Sequence, residues 1–442
     1  MGIAVVHYQN AHENCVSDLK KSIFNINHTG QARCGLVTHD GNNFYRATNK
    51  GLVNTLEIPT DMKGSYGIGN VSNYPDHQPL IFHSMKFGDF ALSFDGFAVN
   101  RNKLKYDMDA FISDFDPELV GRIISRGTDI VDGIHKLSEA IKGCYCLGIA
   151  TEDGKTYAAR CPLATKPLML GSGEKGNAVI TESRAFRKMG MNFVRDFNPG
   201  EIVMMDEDGV ITVDTIKGDG RKICSFLWGY SSWVDSIIEG VPVALVRERL
   251  AAKLAKRDKD SGLVAHVATA IEDSGKAYGE GYAVSFGLPY FSITIKYPYA
   301  SRSYNQPKDM RGKVAQSKHS TVDHRVNGKK IVVLDDSLRR GTVTDGGPVD
   351  YLREAGADEI HLRFGTPRNH HYCRLDYIEA SDDTLPANRY PTDEELAKIL
   401  NVDSVRFPTV DDVIEAITTD SDLKSKDLCL SCYSSGDFGF LE

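Results

Sequence analysis

The chain is poor in several things. It has 2 tryptophans in 442 residues and no apolar run of membrane-spanning length. Its opening, MGIAVVHYQN, lacks the charged start and apolar core of a secretory leader, and lacks the hydroxyl residue of a myristoylation signal. Long basic blocks are missing too: the formal charge is −8, and nothing resembles the positive track that follows a nucleic-acid backbone. These absences lead us to expect a cytoplasmic protein with no membrane or nucleic-acid partner. Any phosphate recognition should then be local rather than a surface field. In such a compartment the 9 cysteines are expected as free thiols or metal ligands, not disulfides.

What is present suffices for two cores, with 41% hydrophobic and 25% charged residues and no sign of disorder. Up to about residue 222, short strand-like runs alternate with glycine-rich turns, as in CYCLGIATEDGKTYAAR and NAVITES. GEIVMMDEDGVITV reads as a hairpin turning at Asp206 to Gly209, and helices are expected near 118–126 and 132–141. Strand runs followed by helices predict a layered α+β domain. Beyond Cys224 the pattern becomes helix, strand, helix, with an apolar-periodic helix over 243–256 and a strand in GLVAHVATAIEDSG. The second half, 223–442, therefore reads as α/β. Neither internal repeats nor a low-complexity linker is visible, so the halves should pack closely.

The most informative stretch is GKKIVVLDDSLRRGTVTDGG, residues 328–347. Ile331 to Leu334 are apolar without alternation, which predicts a strand buried on both faces of a parallel sheet. Ligands bind beyond the carboxyl ends of such strands. Asp335 and Asp336 stand there and can accept hydrogen bonds from two sugar hydroxyls. Ser337, Arg340, Gly341 and Thr342 follow in a loop able to aim backbone N–H groups at a phosphate. A helix is expected over 348–355, with Asp345 as its cap, Gly356 as its stop and its positive end toward the anion. Carboxylates for a ribose and a loop for its 5′-phosphate describe a phosphoribosyl site; a solvated acidic turn or a phosphoacceptor aspartate would be the alternatives.

This stretch resembles the 5-phosphoribosyl-1-pyrophosphate (PRPP) motif of type I phosphoribosyltransferases, most closely that of the glutamine PRPP amidotransferase family, except that Arg339 stands where an apolar residue is usual. The likeness extends along nearly the whole chain through HTGQARCGLV, QPLIF, IKGCYCLGIAT, KPLMLG, ITES and NPGEIV, which occur in the family's order. It implies an αββα N-terminal domain like the Ntn hydrolases over 1–222, and a type I phosphoribosyltransferase domain with a parallel sheet and a cysteine-bearing tail over 223–442. The resemblance also implies magnesium with PRPP, a homo-oligomer and a place in purine synthesis.

The family's glutaminase uses an N-terminal cysteine; here Met1 holds that place, a thioether unable to form a thioester, and Gly2 offers nothing better. Ser72 replaces the arginine that holds the glutamine carboxylate, and Asp95-Gly96 replaces an Asn-Gly oxyanion hole, where a carboxylate would repel the developing charge. Asp116 matches the ligand of the glutamine amino group. Cys15 and Cys34 read as ordinary buried thiols.

Three segments of the second half match the transferase site. ATAIEDSGKAYGEGYA corresponds to the diphosphate loop, with Asp273 and Ser274 kept, Glu272 in place of a proline, and Lys276 a possible phosphate contact. IKYPYASRSYNQP corresponds to the closing loop, keeping Lys296, Tyr299 and Arg302 as catalytic candidates but carrying Tyr297-Pro298 in place of an Asn-Arg pair. QSKHSTVDHRVNGKK matches the basic segment, with Lys318 kept and Asp323 where arginine is usual. Cys224, Cys373, Cys429 and Cys432 match the ligands of a [4Fe-4S] cluster, although zinc or a redox pair would look alike locally. The expected activity is displacement of diphosphate from ribose C1 by ammonia or another amine, with glutamine hydrolysis lost. A non-catalytic PRPP or nucleotide sensor is one alternative. Another is an active glutamine-dependent enzyme, which requires residue 1 to be other than methionine in the working protein.

Overall fold

The computed structural model describes residues 1–108, 115–296, 319–339, 347–377, 380–434, 436 and 438–441. Thirteen strands fill the first half: β1 (Gly2–Tyr8), β2 (Arg33–His39), β3 (Phe44–Lys50), β4 (Tyr66–Ser72), β5 (Leu80–Ser84), β6 (Gly88–Ala98), β7 (Gly143–Thr151), β8 (Thr156–Arg160), β9 (Met169–Ser172), β10 (Gly176–Ile180), β11 (Asn192–Asp196), β12 (Glu201–Asp206) and β13 (Gly209–Thr215). They form two antiparallel sheets, ordered β11-β9-β10-β1-β4-β2-β3 and β13-β12-β8-β7-β6-β5. The Asp206–Gly209 hairpin forms as expected, those two residues being cross-strand partners.

Alternation along β1 explains the layering. Ile3 and Val5 point between the sheets, against Ile68, Ala91, Cys146 and Val203. Ala4 and Val6 point outward to Leu19 and Ile23 of the helix Val16–Asn25. On the far side, Leu92, Phe94 and Leu147 pack against Leu119, Ile134 and Leu137 of the helices Asp116–Ile124 and Ile130–Ala140. This is the expected helix, sheet, sheet, helix sandwich. Each buried aliphatic residue contributes about 1.5–3 kcal/mol. The helices start two residues earlier than expected, at Asp116 and Ile130, because Asp129 caps the latter through the Asp132 N–H at 2.8 Å.

The second half is built on a parallel sheet of four strands, Val267–Ala270, Lys330–Asp335, Glu359–Phe364 and Ser404–Arg406, in that order. Its second strand is the apolar run read from sequence. Val332 and Leu334 join one core with the helices Val243–Asp260 and Lys276–Phe286, whereas Ile331 and Val333 join another with Leu352, Leu396 and Val405. Burial on both faces accounts for the missing alternation. The helix Val243–Asp260 presents Val243, Val246, Leu250 and Leu254 at helical spacing to this core. The helix after the acidic strand covers Pro348–Glu354 and is preceded by Gly347 as its N-cap, which corrects the assignment of that role to Asp345; residues 340–346 lie outside the described residues. Proline at the first helical position needs no N–H donor, so a glycine cap suffices.

The halves are joined by half-buried polar contacts: Arg160 donates to Glu239 at 2.7 Å, and the Trp233 N–H donates to Glu182 at 2.5 Å. Among the described residues, no helix is long and apolar enough to cross a membrane.

One buried ion cluster fixes the helix Val243–Asp260 on the sheet. Asp258, fully buried, accepts from Arg363 at 2.6 and 3.0 Å, from Tyr282 at 2.6 Å and from Arg406 at 2.9 Å. Removing the carboxylate leaves the Arg363 guanidinium buried and uncompensated. Asp258→Ala is therefore expected to lose about 3–5 kcal/mol in urea unfolding. A loss under about 1 kcal/mol would contradict a structural role for this cluster.

Candidate active site

Asp335 ends the Lys330–Asp335 strand, and Asp336 opens the turn that follows. Both are nearly buried, at 7% and 6% exposure. Their carbonyls are held by the N–H groups of Gly365 and Thr366 at 2.8 and 2.9 Å, which fixes the turn. Asp335 accepts from the Asp336 N–H at 2.8 Å, and Asp336 accepts from Ser337 at 2.5 Å and from Ser274. Burial and the adjacent Asp336 charge push the Asp335 carboxyl well above the ordinary carboxylate range. Burial raises Asp336 as well, opposed by the two serine hydroxyls and the field of Arg247.

The loop 272–275 lies against this turn because position 275 is glycine. A Cβ there would fall 2.6 Å from the Leu334 carbonyl oxygen and 3.2 Å from the Asp335 Cα, so any side chain would push the loop away. Close approach lets Ser274 reach Asp336. Lys296, at the end of its strand, pairs with Asp273, while Lys276 lies 3.5 Å from Glu272 in the first turn of its helix. Three separated segments thus bring Asp273, Ser274, Lys276, Lys296, Asp335, Asp336 and Ser337 together. Tyr299, Arg302, Arg340, Gly341, Thr342 and Lys318 lie outside the described residues. Sequence reading missed Arg247, whose buried guanidinium is held by the carbonyls of Trp228 and Ser232 at 2.9 and 2.8 Å; only its helical position was legible.

In the N-terminal half, the Met1 amine is buried and donates to the Thr29 carbonyl at 3.0 Å. Burial lowers its pKa, against the attraction of Asp95. Asp95 is buried and ion-paired with Lys166; burial disfavours the ammonium, but the charge and hydrogen bond of Asp95, together with Cys144 and Asp376, outweigh it and hold Lys166 above its ordinary value. Asp95 cannot donate to an oxyanion, and its charge is already matched. Gly96 is confined, a Cβ there falling 2.2 Å from the Cys144 carbonyl oxygen. Ser72 donates to Asp76 at 2.8 Å, and Gln78 donates to the same oxygen at 3.1 Å. Asp116 accepts from the Ala98 N–H at 2.6 Å, and burial raises its pKa. Lys166, Asp76, Asp376 and Tyr377 all bear on this pocket and were not anticipated from sequence.

All nine cysteines are free thiols, and Cys15 and Cys34 are buried as expected. Cys224 and Cys429 are register partners in a short parallel bridge, and the Cys432 carbonyl accepts from the N–H groups of His370 and His371 at 2.9 and 3.2 Å, next to Cys373. Burial raises the thiols of Cys224, Cys373 and Cys432, that of Cys373 to about 11, and the neighbouring cysteines add to each shift. Among the described residues, no three His, Cys, Asp or Glu side chains are already drawn to metal-holding distance. Arg339 lies 5.7 Å over the Phe226 ring and 5.8 Å over Tyr372, and its charge favours the thiolates of Cys373 and Cys432.

No protein-family model matches the sequence. The chain is 30% identical over 433 residues to the amidophosphoribosyltransferase of Archaeoglobus fulgidus, covering 94% of this chain and 93% of that protein. It is 30% identical to the Bacillus subtilis amidophosphoribosyltransferase, covering 96% and 91%. The fold superimposes with a TM-score of 0.88 on the glutamine PRPP amidotransferase of B. subtilis complexed with ADP and GMP, at 29% identity and over 98% of this chain and 96% of that one. A structure described as the allosteric regulatory enzyme of purine biosynthesis gives 0.87 at 28% identity, over 98% and 95%.

The raised pKa of Asp335 has a defined sign. Its folded form holds a proton that the unfolded chain gives up at lower pH, so folded stability falls as pH rises from the ordinary carboxylate range toward the folded pKa. Asp335→Asn should reduce that decline to the share of Asp336, raise free-protein stability near neutral pH by about 1 kcal/mol, and weaken ribose-phosphate binding by about tenfold or more. Thermal unfolding across pH, with calorimetric titration of PRPP, measures both; lower stability of the variant at neutral pH would contradict the assignment.

Proposed function

The chain belongs to the amidophosphoribosyltransferase family, and from that premise we propose that it transfers the phosphoribosyl group of PRPP to ammonia or a small amine without hydrolysing glutamine. The observation that carries the transferase reading is the buried Asp335–Asp336 pair held against Ser274 and Ser337. We take 1–222 as the glutaminase-like unit and 223–442 as the transferase unit, working in the cytoplasm as a homo-oligomer. Purine nucleotides are expected to compete at the ribose carboxylates, because the B. subtilis relative was complexed with ADP and GMP.

The chemistry follows from the residues. Asp335 and Asp336 accept the two ribose hydroxyls, in addition to the backbone and serine donors they already have. Ser337, Arg340, Gly341 and Thr342 take the 5′-phosphate, and Asp273, Ser274 and Lys276 face the diphosphate, with Lys296, Tyr299 and Arg302 closing over it. The amine lone pair forms the new N–C1 bond on the face opposite the diphosphate; the C1–O bond breaks, its electron pair leaves with diphosphate, and the amine releases one proton. Exclusion of water protects the ion-like ribosyl centre from hydrolysis. Magnesium bound with PRPP would neutralise the charge of the leaving diphosphate. The donor set also fits a [4Fe-4S] cluster: Cys224, Cys373, Cys429 and Cys432 are mutually influencing thiols, and Arg339 favours the thiolates of Cys373 and Cys432. Cys429→Ser with Cys432→Ser should remove the broad visible absorbance and the iron of anaerobically purified protein; iron unchanged in that double variant would sink the cluster assignment.

Loss of glutamine hydrolysis is supported by a thioether at residue 1 and a carboxylate, paired with Lys166, at position 95. With PRPP and magnesium, ammonia should release diphosphate and glutamine should not. Asp335→Asn/Asp336→Asn should abolish the release. Equal rates with glutamine would overturn the loss, and PRPP binding without release under any amine would leave a sensor in place of a transferase.

A further inference from the structure

We propose that residues 373–377 form an internal plug: a segment of the transferase half seated in the amino-acid pocket of the N-terminal half, where Tyr377 and Asp376 take up the contacts a free amino acid would need. The proposal rests on reading Met1, Asp95 and Asp116 as the former glutaminase positions, and goes beyond it by naming what fills the pocket.

Tyr377 sits in an aromatic box. Its ring centroid lies 4.4 Å from Tyr74, 4.7 Å from Phe97 and 5.7 Å from Phe115, and the Arg101 guanidinium stacks over it at 4.9 Å. The phenol oxygen accepts from the Asp116 N–H at 3.2 Å and faces the Asp116 carboxylate. The acid that would hold a ligand's ammonium is therefore faced by the chain's own phenol. One residue earlier, Asp376 accepts from the Tyr74 hydroxyl, and its charge acts on both the Met1 amine and Lys166. Leu375 is buried with Phe97 and Cys144, which seats the backbone between these two side chains.

Charge accounting supports a permanent occupant. Asp95 adds an anion to a buried site, and one cation, Lys166, pairs with it directly. Asp376 places a further carboxylate here, whose charge acts on Lys166 and on the buried Met1 amine. Asp76, which also acts on the amine, is pushed toward its neutral form by burial. With Lys166 on Asp95 and the Arg101 guanidinium over Tyr377 beside Asp116, the pocket draws its counter-charges from the chain itself. A glutamine entering here would have to displace Asp376 and Tyr377 and leave the Tyr74 hydroxyl short of a partner.

The segment also ties three sites mechanically. Tyr372 faces Arg339 at the edge of the PRPP turn, Cys373 belongs to the thiol group, and Asp376 and Tyr377 close the N-terminal pocket.

The test places a reporter thiol at residue 1. Met1→Cys protein and the same protein carrying Tyr377→Ala are treated with iodoacetamide and with the glutamine analogue 6-diazo-5-oxo-L-norleucine, and alkylation of the introduced thiol is followed by mass spectrometry of the N-terminal peptide. Removing the plug should speed alkylation by about tenfold or more. Should Tyr377→Ala not fold, Tyr377→Leu keeps apolar volume while losing the hydroxyl, and carries the same comparison. Equal alkylation rates with and without Tyr377, whether fast or undetectable, overturn the plug. Glutamine hydrolysis by the unaltered chain is measured alongside: hydrolysis overturns the underlying reading, whereas equal alkylation without hydrolysis overturns only the plug.

Discussion

Two adjacent carboxylates are buried at the end of one parallel strand, and the rest of the transferase half is arranged around them. Like charges out of water are unfavourable, and their raised pKa values express that strain. The fold offsets it with a strand whose two faces fill two separate cores, with a glycine that lets the neighbouring loop touch the strand end, and with serine hydroxyls on Asp336. What remains is a pair of acceptors held rigidly at the position where ligands meet such sheets. A stability penalty at this site is the expected companion of a binding function.

The N-terminal pocket contains comparable raw material in a different setting. It too gathers buried acids, Asp76, Asp95 and Asp116, in a sandwich whose family relatives are glutamine-dependent by name. Here Asp76 accepts from Ser72 and Gln78, Asp95 pairs with Lys166, and Asp116 accepts from the Ala98 N–H with Tyr377 nearby, while one buried carboxylate oxygen each of Asp76 and Asp116 has no partner among the described residues. The segment 373–377 runs between the two regions, from Cys373 of the thiol group to Tyr377 beside Asp116.

Legibility in the sequence followed the range of the interactions. The run Ile331 to Leu334, the acids after it, the Asp206 hairpin and the amphipathic helices depend on neighbours in the chain, and all were readable. Lys166 is 71 residues from Asp95, Tyr377 is 261 from Asp116 and Asp376 is 302 from Tyr74, and no local pattern announces such pairs. The Asp345 cap was misassigned because a proline-started helix tolerates a glycine in that role. Cys224 and Cys429 were connected through the family likeness, since only the register of two distant strands joins them.

The source of the transferred nitrogen tests the central claim most directly. Supplying PRPP and magnesium together with unlabelled ammonium and glutamine carrying 15N in its amide, then analysing the ribosylamine or its trapped derivative by mass spectrometry, reads that source in one experiment. A transferase with a closed N-terminal pocket incorporates ammonium nitrogen alone. Appearance of 15N in the product would mean that glutamine is hydrolysed after all, and would contradict the reading of Met1, Asp95 and Tyr377.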